Sequence, residues 1–281
     1  MEKLIIQAPA KINFGLHVID QRPDKYHNIE TIFYPIKLYD TLTFEESDHF
    51  EIITNSSELN QNKFNLIAEA KDLLQSYSGK EMNIKITLEK KIPIGGGMGG
   101  GSSDAAATLK GLIKLYDVNI SDDLLKKFAL QMGSDVPFFL NPIPSLGFAR
   151  GENLIPLDNF FIDFNILLIY PNINVSTKWA FAKLKLSEHN FSLRNFTEDL
   201  WRDTKKMRSL VRNDFERRVF SHFPVLSEIK KKLYSLHAQY ALMTGTGSTI
   251  FALFRNKDEA ANAKSIFEEK FFTFLQLRGK N

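Results

Sequence analysis

The sequence predicts an α+β protein of two lobes. Three observations carry that prediction: helix-like and strand-like periodicities alternate along the 281 residues, a turn-rich stretch divides them near residue 155, and a glycine run stands directly before a helical pattern.

From the N-terminus, residues 4–7 read as a strand with no signal-peptide core ahead of them. Leu66, Ala70, Leu73, Leu74 and Tyr77 keep helical spacing, whereas Ile84, Ile86 and Leu88 alternate with polar neighbours as a half-buried strand does. Ala105, Leu109, Leu112, Ile113 and Tyr116 form the next helical stripe. Ser121, followed by Asp122 and Asp123, then caps a helix carrying Leu124, Leu125 and Phe128. Residues 141–159, with Pro142, Pro144 and Gly147, are turn-rich, and 164–170 read as a strand. The expected domains are therefore 1–155 and 156–281. In the second, helical patterns around Phe181, Ile229 and Ile266 surround a strand–turn–strand over 240–254, folded about Gly245, Thr246 and Gly247. Residues 186–209 carry few landmarks.

Composition limits the function. At 43% hydrophobic the chain can bury a full core, and a net charge of +3 spread along its length is not the basic stripe of a nucleic-acid binder. The absence of cysteine excludes disulfides, thiolate catalysis and Cys-ligated zinc, and it suits a reducing compartment. No histidine pair has metal-ligand spacing, and no apolar run approaches the ~18 residues of a membrane span. A soluble cytoplasmic protein with no nucleic-acid or membrane partner is expected.

Six of the 15 glycines fall in residues 95–101. Glycine admits positive φ and close backbone approach, and the following helix offers unpaired N–H groups and a positive dipole end, so the run reads as a phosphate cradle. A Walker A loop fails because Gly101 occupies the lysine position. Gly95, Gly97 and Gly100 match a dinucleotide fingerprint, but Lys90, Lys91 and Pro93 interrupt the apolar strand that should enter it. The remaining reading is a long anion-binding loop with Ser102 and Ser103 as hydroxyls near the phosphates and Asp104 in the first helical turn.

The segment 93–107 resembles the second signature of the GHMP kinases, small-molecule ATP kinases. Ala8-Pro9-Ala10-Lys11-Ile12-Asn13 looks like that family's N-terminal signature, and Met243-Thr244-Gly245-Thr246-Gly247-Ser248-Thr249-Ile250-Phe251 looks like its C-terminal one. The two additional glycines, Arg22-Pro23-Asp24-Lys25-Tyr26-His27 and Gly133-Ser134-Asp135-Val136-Pro137-Phe138-Phe139 are similar to a branch acting on a cytidine-diphosphate-linked methylerythritol. The resemblance implies a two-lobed fold, with an N-terminal lobe like ribosomal protein S5 domain 2 and a ferredoxin-like C-terminal lobe. It also implies that ATP with Mg²⁺ phosphorylates a tertiary 2-hydroxyl in non-mevalonate isoprenoid precursor synthesis, with ATP on the first lobe and substrate in a cleft. A monomer or weak homodimer is expected.

Asp135 is then the candidate general base and Lys11 its cationic neighbour. Without the resemblance, Asp135 would read as a turn or cap residue and Lys11 as a solvated edge charge. ATP is assigned to Pro93, Ile94, Gly95, Gly96, Gly97, Met98, Gly99, Gly100, Gly101, Ser102 and Ser103, with Asn65 and Lys90 toward its base or ribose. The acceptor substrate is assigned to Asn13, Tyr26, His27, Thr177, Phe181, Gly245, Thr246 and Gly247, with cytosine stacked between Tyr26 and Phe181 and read by His27. No protein ligand of the metal is assigned. Two alternatives remain open: a related kinase acting on homoserine or mevalonate, and a nucleotide sensor without catalysis.

Overall fold

The chain opens with two long strands, β1 (Leu4–Gln21) and β2 (His27–Glu46), which pair with each other. The computed structural model describes residues 3–60, 65–182, 184, 186 and 189–279. Between the two strands the Asp24 carboxylate accepts the N–H of Tyr26 at 3.1 Å, and Arg22 donates its N–H to Tyr26 O at 2.8 Å. Only the first residues of β1 were legible because residues 10–18 are buried on both faces. Such a strand shows no apolar–polar alternation.

Two compact units are interleaved along the chain, in place of a single division near residue 155. One comprises residues up to 11, 35–93 and 99–142; the other comprises 12–34, 94–98 and the chain from 143 onward. The interleaving follows from β1 and β2, each of which contributes residues to both units.

In the first unit, the C-terminal part of β2 pairs antiparallel with β4 (Ile84–Glu89), and β4 pairs parallel with β3 (Glu51–Thr54). A short α1 (Ser57–Asn60) precedes α2 (Leu66–Ser78), which begins where Asn65 Oδ1 accepts the Ile67 N–H at 2.9 Å. Gly79, at φ +65°, ends α2. Next comes α3 (Gly100–Leu115), which packs on α2 and buries Ala105, Ala106, Leu109 and Leu112. It starts five residues before the apolar stripe, because Gly99 at φ +73° turns the chain directly into it and glycine hides a helix start from propensity. Asp104 therefore lies beyond the first turn and is buried, so the expected stabilisation by the helix dipole is replaced by ion pairing. Ser121 caps α4 (Asp122–Met132), and α5 (Val136–Leu140) follows.

In the second unit, the N-terminal part of β2 pairs with β5 (Ser145–Ala149), which turns back into β6 (Asn153–Pro156), so the turn-rich stretch contains a hairpin. The four-stranded antiparallel sheet has the order β10-β7-β9-β8, from β7 (Asn165–Tyr170), β8 (Tyr240–Met243), β9 (Ile250–Phe254) and β10 (Phe272–Gln276). Helices α9 (Pro224–Ser235) and α10 (Lys257–Glu268) back it, as expected for a ferredoxin-like lobe. The shorter α6 (Thr177–Phe181), α7 (Thr204–Leu210) and α8 (Glu216–His222) complete the unit. Leu16 and Val18 of β1 join Leu167, Ile169, Leu226, Ile229, Ala260 and Phe267 in its core. Phe196 and Trp201, from the segment without landmarks, pack around Phe14 at ring separations of 5.4 and 5.0 Å.

Candidate active site

Residues of three types must converge for phosphoryl transfer: phosphate donors, a base and an acceptor platform. In the first unit, Lys11 on β1 is 3% exposed and its ammonium stands 3.4 Å from Asp135 Oδ2. Asp135 is about one-third exposed at 34%. It occupies the N-cap position of α5 yet makes no side-chain capping bond. Asp135 sits in the turn closed by the Val136 N–H donating to Gly133 O at 3.1 Å, but its side chain faces Lys11 and caps nothing; the edge-charge reading fails for Lys11. The glycine run passes close to this pair, since a Cβ at Gly99 would stand 3.2 Å from Lys11 Cε and 2.7 Å from the Phe139 ring.

The first half of the glycine run belongs to the second unit, where its carbonyls are held. Tyr170 Oη donates to Ile94 O at 3.0 Å, the Thr249 N–H to Gly96 O at 3.2 Å, and Thr244 Oγ1 to Gly97 O at 3.4 Å. Gly95, Gly97 and Gly99 have φ of +69°, +78° and +73°. Left-handed residues at alternate positions are the backbone pattern of anion-binding concavities. Ser103, expected beside the phosphates, is buried, and its hydroxyl has no partner among the described residues.

Gly245 and Gly247, at φ +58° and +99°, form the turn between β8 and β9. Asn213, which sequence reading missed, holds that turn by donating from Nδ2 to Met243 O at 2.7 Å and Gly245 O at 2.8 Å. Asn13 is tied to the same turn: its N–H donates to Thr244 Oγ1 at 2.8 Å and its Nδ2 to Thr31 Oγ1 at 3.0 Å. Thr177, at the start of α6, brings its hydroxyl within 3.4 Å of that of Thr246. Asn13, Thr177, Gly245, Thr246 and Gly247 are therefore assembled around one turn.

The aromatic residues are arranged differently from expectation. His27 stacks on Phe181 with ring centroids 4.9 Å apart and planes at 27°, while Phe181 meets the Phe215 ring at 4.7 Å. One face of Phe181 is covered by His27. Tyr26 is exposed, with the Arg150 guanidinium 4.8 Å over its ring. Burial lowers the pKa of His27, opposed by Asp20, which favours a neutral imidazole able to read a base edge.

Two residues expected to reach ATP make other contacts. The Lys90 ammonium is buried against Asp40 and Asp104, the latter at 2.7 Å. Asn65 caps α2. No local sequence signal marks the first arrangement, because Asp40 lies 50 residues before Lys90.

Residues 65–141 match the GHMP kinases N terminal domain, and residues 193–272 match GHMP kinases C terminal. The chain is 40% identical over 264 residues to the 4-diphosphocytidyl-2-C-methyl-D-erythritol kinase of Chlorobium chlorochromatii, a match covering 90% of this chain and 89% of that protein. The kinase of the same name from Chlorobium phaeobacteroides is 36% identical over 96% of both chains. Among solved structures, a 4-(cytidine 5'-diphospho)-2C-methyl-D-erythritol kinase superposes with a TM-score of 0.80 at 30% identity, covering 99% of this chain and 100% of the other. The mevalonate kinase of Methanococcus jannaschii shares the fold, with a TM-score of 0.66 at 14% identity over 99% of both chains.

Proposed function

The chain belongs to the GHMP kinases and is a small-molecule kinase; from that premise we propose that it phosphorylates the 2-hydroxyl of 4-diphosphocytidyl-2-C-methyl-D-erythritol in non-mevalonate isoprenoid precursor synthesis. The relatives named for this substrate are 30–40% identical to the chain, against 14–16% for a mevalonate and a homoserine kinase of the same fold, which favours it over homoserine or mevalonate.

ATP enters as its magnesium complex, so the ion arrives with the substrate. The left-handed backbone of the glycine run and the start of α3 receive its phosphates, within the expected ATP-binding residues 1–155. Asp135 accepts the proton of the 2-hydroxyl as that oxygen bonds to the γ-phosphorus and the bond to ADP breaks. Lys11 opposes the negative charge growing on the reacting oxygens. The cytosine stacks on Tyr26 and is read by neutral His27, which Phe181 braces from behind, a change from the expected two-ring sandwich. Such a stack contributes about 1–3 kcal/mol, enough to prefer a nucleotide-bearing alcohol to a bare polyol.

The observation that carries this reading is the Lys11–Asp135 pair, in which a carboxylate that caps nothing stands against a buried ammonium. ATP consumption measured with the cytidine-diphosphate substrate, the free polyol, homoserine and mevalonate should show turnover with the first. Asp135→Asn should lower kcat by about 10²–10⁴-fold while nucleotide binding survives. Near-normal turnover by the variant would refute the assigned base, and nucleotide binding without turnover on any alcohol would favour a sensor.

A further inference from the structure

The chain enters the glycine run from β4 and leaves it as α3, and one buried ammonium joins the two ends. Asp40 Oδ1 on β2 accepts the N–H groups of Lys91 and Ile92 at 2.6 and 2.8 Å, fixing the entering backbone. Lys90 Nζ meets the other oxygen of Asp40 and, at 2.7 Å, Asp104 Oδ2 on α3. It also stands 3.1 Å from where a Cβ at Gly100, the first residue of α3, would lie. The three side chains are 0–7% exposed.

Two carboxylates against one ammonium leave a net negative charge in a site from which water is nearly excluded, an arrangement that resists full ionisation. Asp104 Oδ1 is buried with no hydrogen-bond partner among the described residues. Burial, and then the charge of Asp40, pushes the Asp104 carboxyl up to about 7 against the opposing pull of Lys90. Lys90, following β4, and Asp40, on β2, are the charged groups acting on it.

We propose that the Asp40–Lys90–Asp104 triad is the positioning element of the nucleotide loop and that it couples loop occupancy to protonation, Asp104 taking up a proton as a triphosphate binds. The inference rests on the reading of the glycine run as the ATP site. A triphosphate at the start of α3 adds negative charge near Asp104 and disfavours its ionised form further. The bound protein then holds more protons than the free one around neutral pH, and ATP affinity falls as pH rises above 7.

Calorimetric titration with a magnesium-loaded non-hydrolysable ATP analogue, in two buffers of different ionisation enthalpy, counts those protons. The wild-type protein should take up a fraction of one proton near pH 7. Asp104→Asn should bind the analogue without that uptake; Asp40→Asn, which keeps an acceptor for the two N–H groups, should move the uptake to lower pH. A purely structural triad would change affinity or melting temperature and leave the proton count alone. Uptake that persists in Asp104→Asn, or wild-type binding with no uptake, overturns the coupling and leaves the kinase reading standing. Failure of the wild-type protein to bind the analogue overturns both.

Discussion

At the residue scale, burial determines what an ionisable side chain can do. Lys11 is sealed from water and stabilised by Asp135, and this pair was legible because both residues stand in short segments resembling family signatures. The contacts of Lys90 were not legible, since its partners come from separate elements and no local spacing encodes them. His17 is a third case. It is fully buried on β1 and stacks on His189 at 4.1 Å. His189 in turn faces Asp214 Oδ2 at 2.8 Å. Burial, helped by the charge of His189, lowers the His17 pKa from 6.5 to about 4. A histidine depressed in the folded state contributes stability that is full above the unfolded value of 6.5 and is lost as pH falls through 4. That shift corresponds to about 3 kcal/mol across the window. Urea unfolding between pH 4 and pH 8 should show stability declining below 6.5, with a shallower decline in His17→Phe. An unchanged slope in the variant would mean that other groups carry the acid sensitivity.

At the scale of elements, pattern was readable where one face meets water and silent where both faces are buried. β4 alternates buried and half-buried residues and was found, whereas most of β1 does not alternate and was missed. The glycine run was found by composition, but its partner surface was not: the fit between residues 94–98 and the 244–249 turn depends on two segments about 150 residues apart. Gly97 makes that fit possible. A Cβ there would lie 2.4 Å from Thr244 O, at a φ of +78°. Strain in the left-handed region alone costs about 1–2 kcal/mol, and the backbone clash adds to it. Gly97→Ala should therefore force the loop off the turn and weaken ATP binding by about tenfold or more, where each 1.4 kcal/mol is a factor of ten. Gly79→Ala is the control. Gly79 has a similar φ of +65° but open space around its Cβ position, so it should lose only stability and keep its nucleotide affinity. Equal loss of affinity in both variants would show that strain, not the close approach, sets the effect.

For the whole molecule, the connectivity of the second unit limits how the chain can be divided. A cut near residue 155, where the sequence turns from one pattern of elements to another, leaves residues 12–34 and 94–98 on the wrong side. Leu16 and Val18 of β1 are 4% and 0% exposed within the core that contains Leu167, Ile169, Ile250 and Phe254. Phe14 is the centre of an aromatic cluster with Phe160, Trp201, Tyr240 and Phe251, at 5.0–6.3 Å. The Asn213 that fixes the 243–245 carbonyls stands beside Leu16, whose N–H donates to Arg212 O at 2.8 Å. A fragment beginning at residue 156 would expose every side chain that packs on β1, and burial of such side chains is worth roughly 1.5–3 kcal/mol each. Against a typical net stability of about 5–15 kcal/mol, losing several of them removes the folded state. The fragment 156–281 alone should therefore lack a cooperative thermal transition and bind a hydrophobic dye. Mixing it with a synthetic strand covering residues 8–21 should restore part of the ordered signal. A fragment that melts cooperatively without that strand would show that the four-stranded sheet and its helices are a self-sufficient domain.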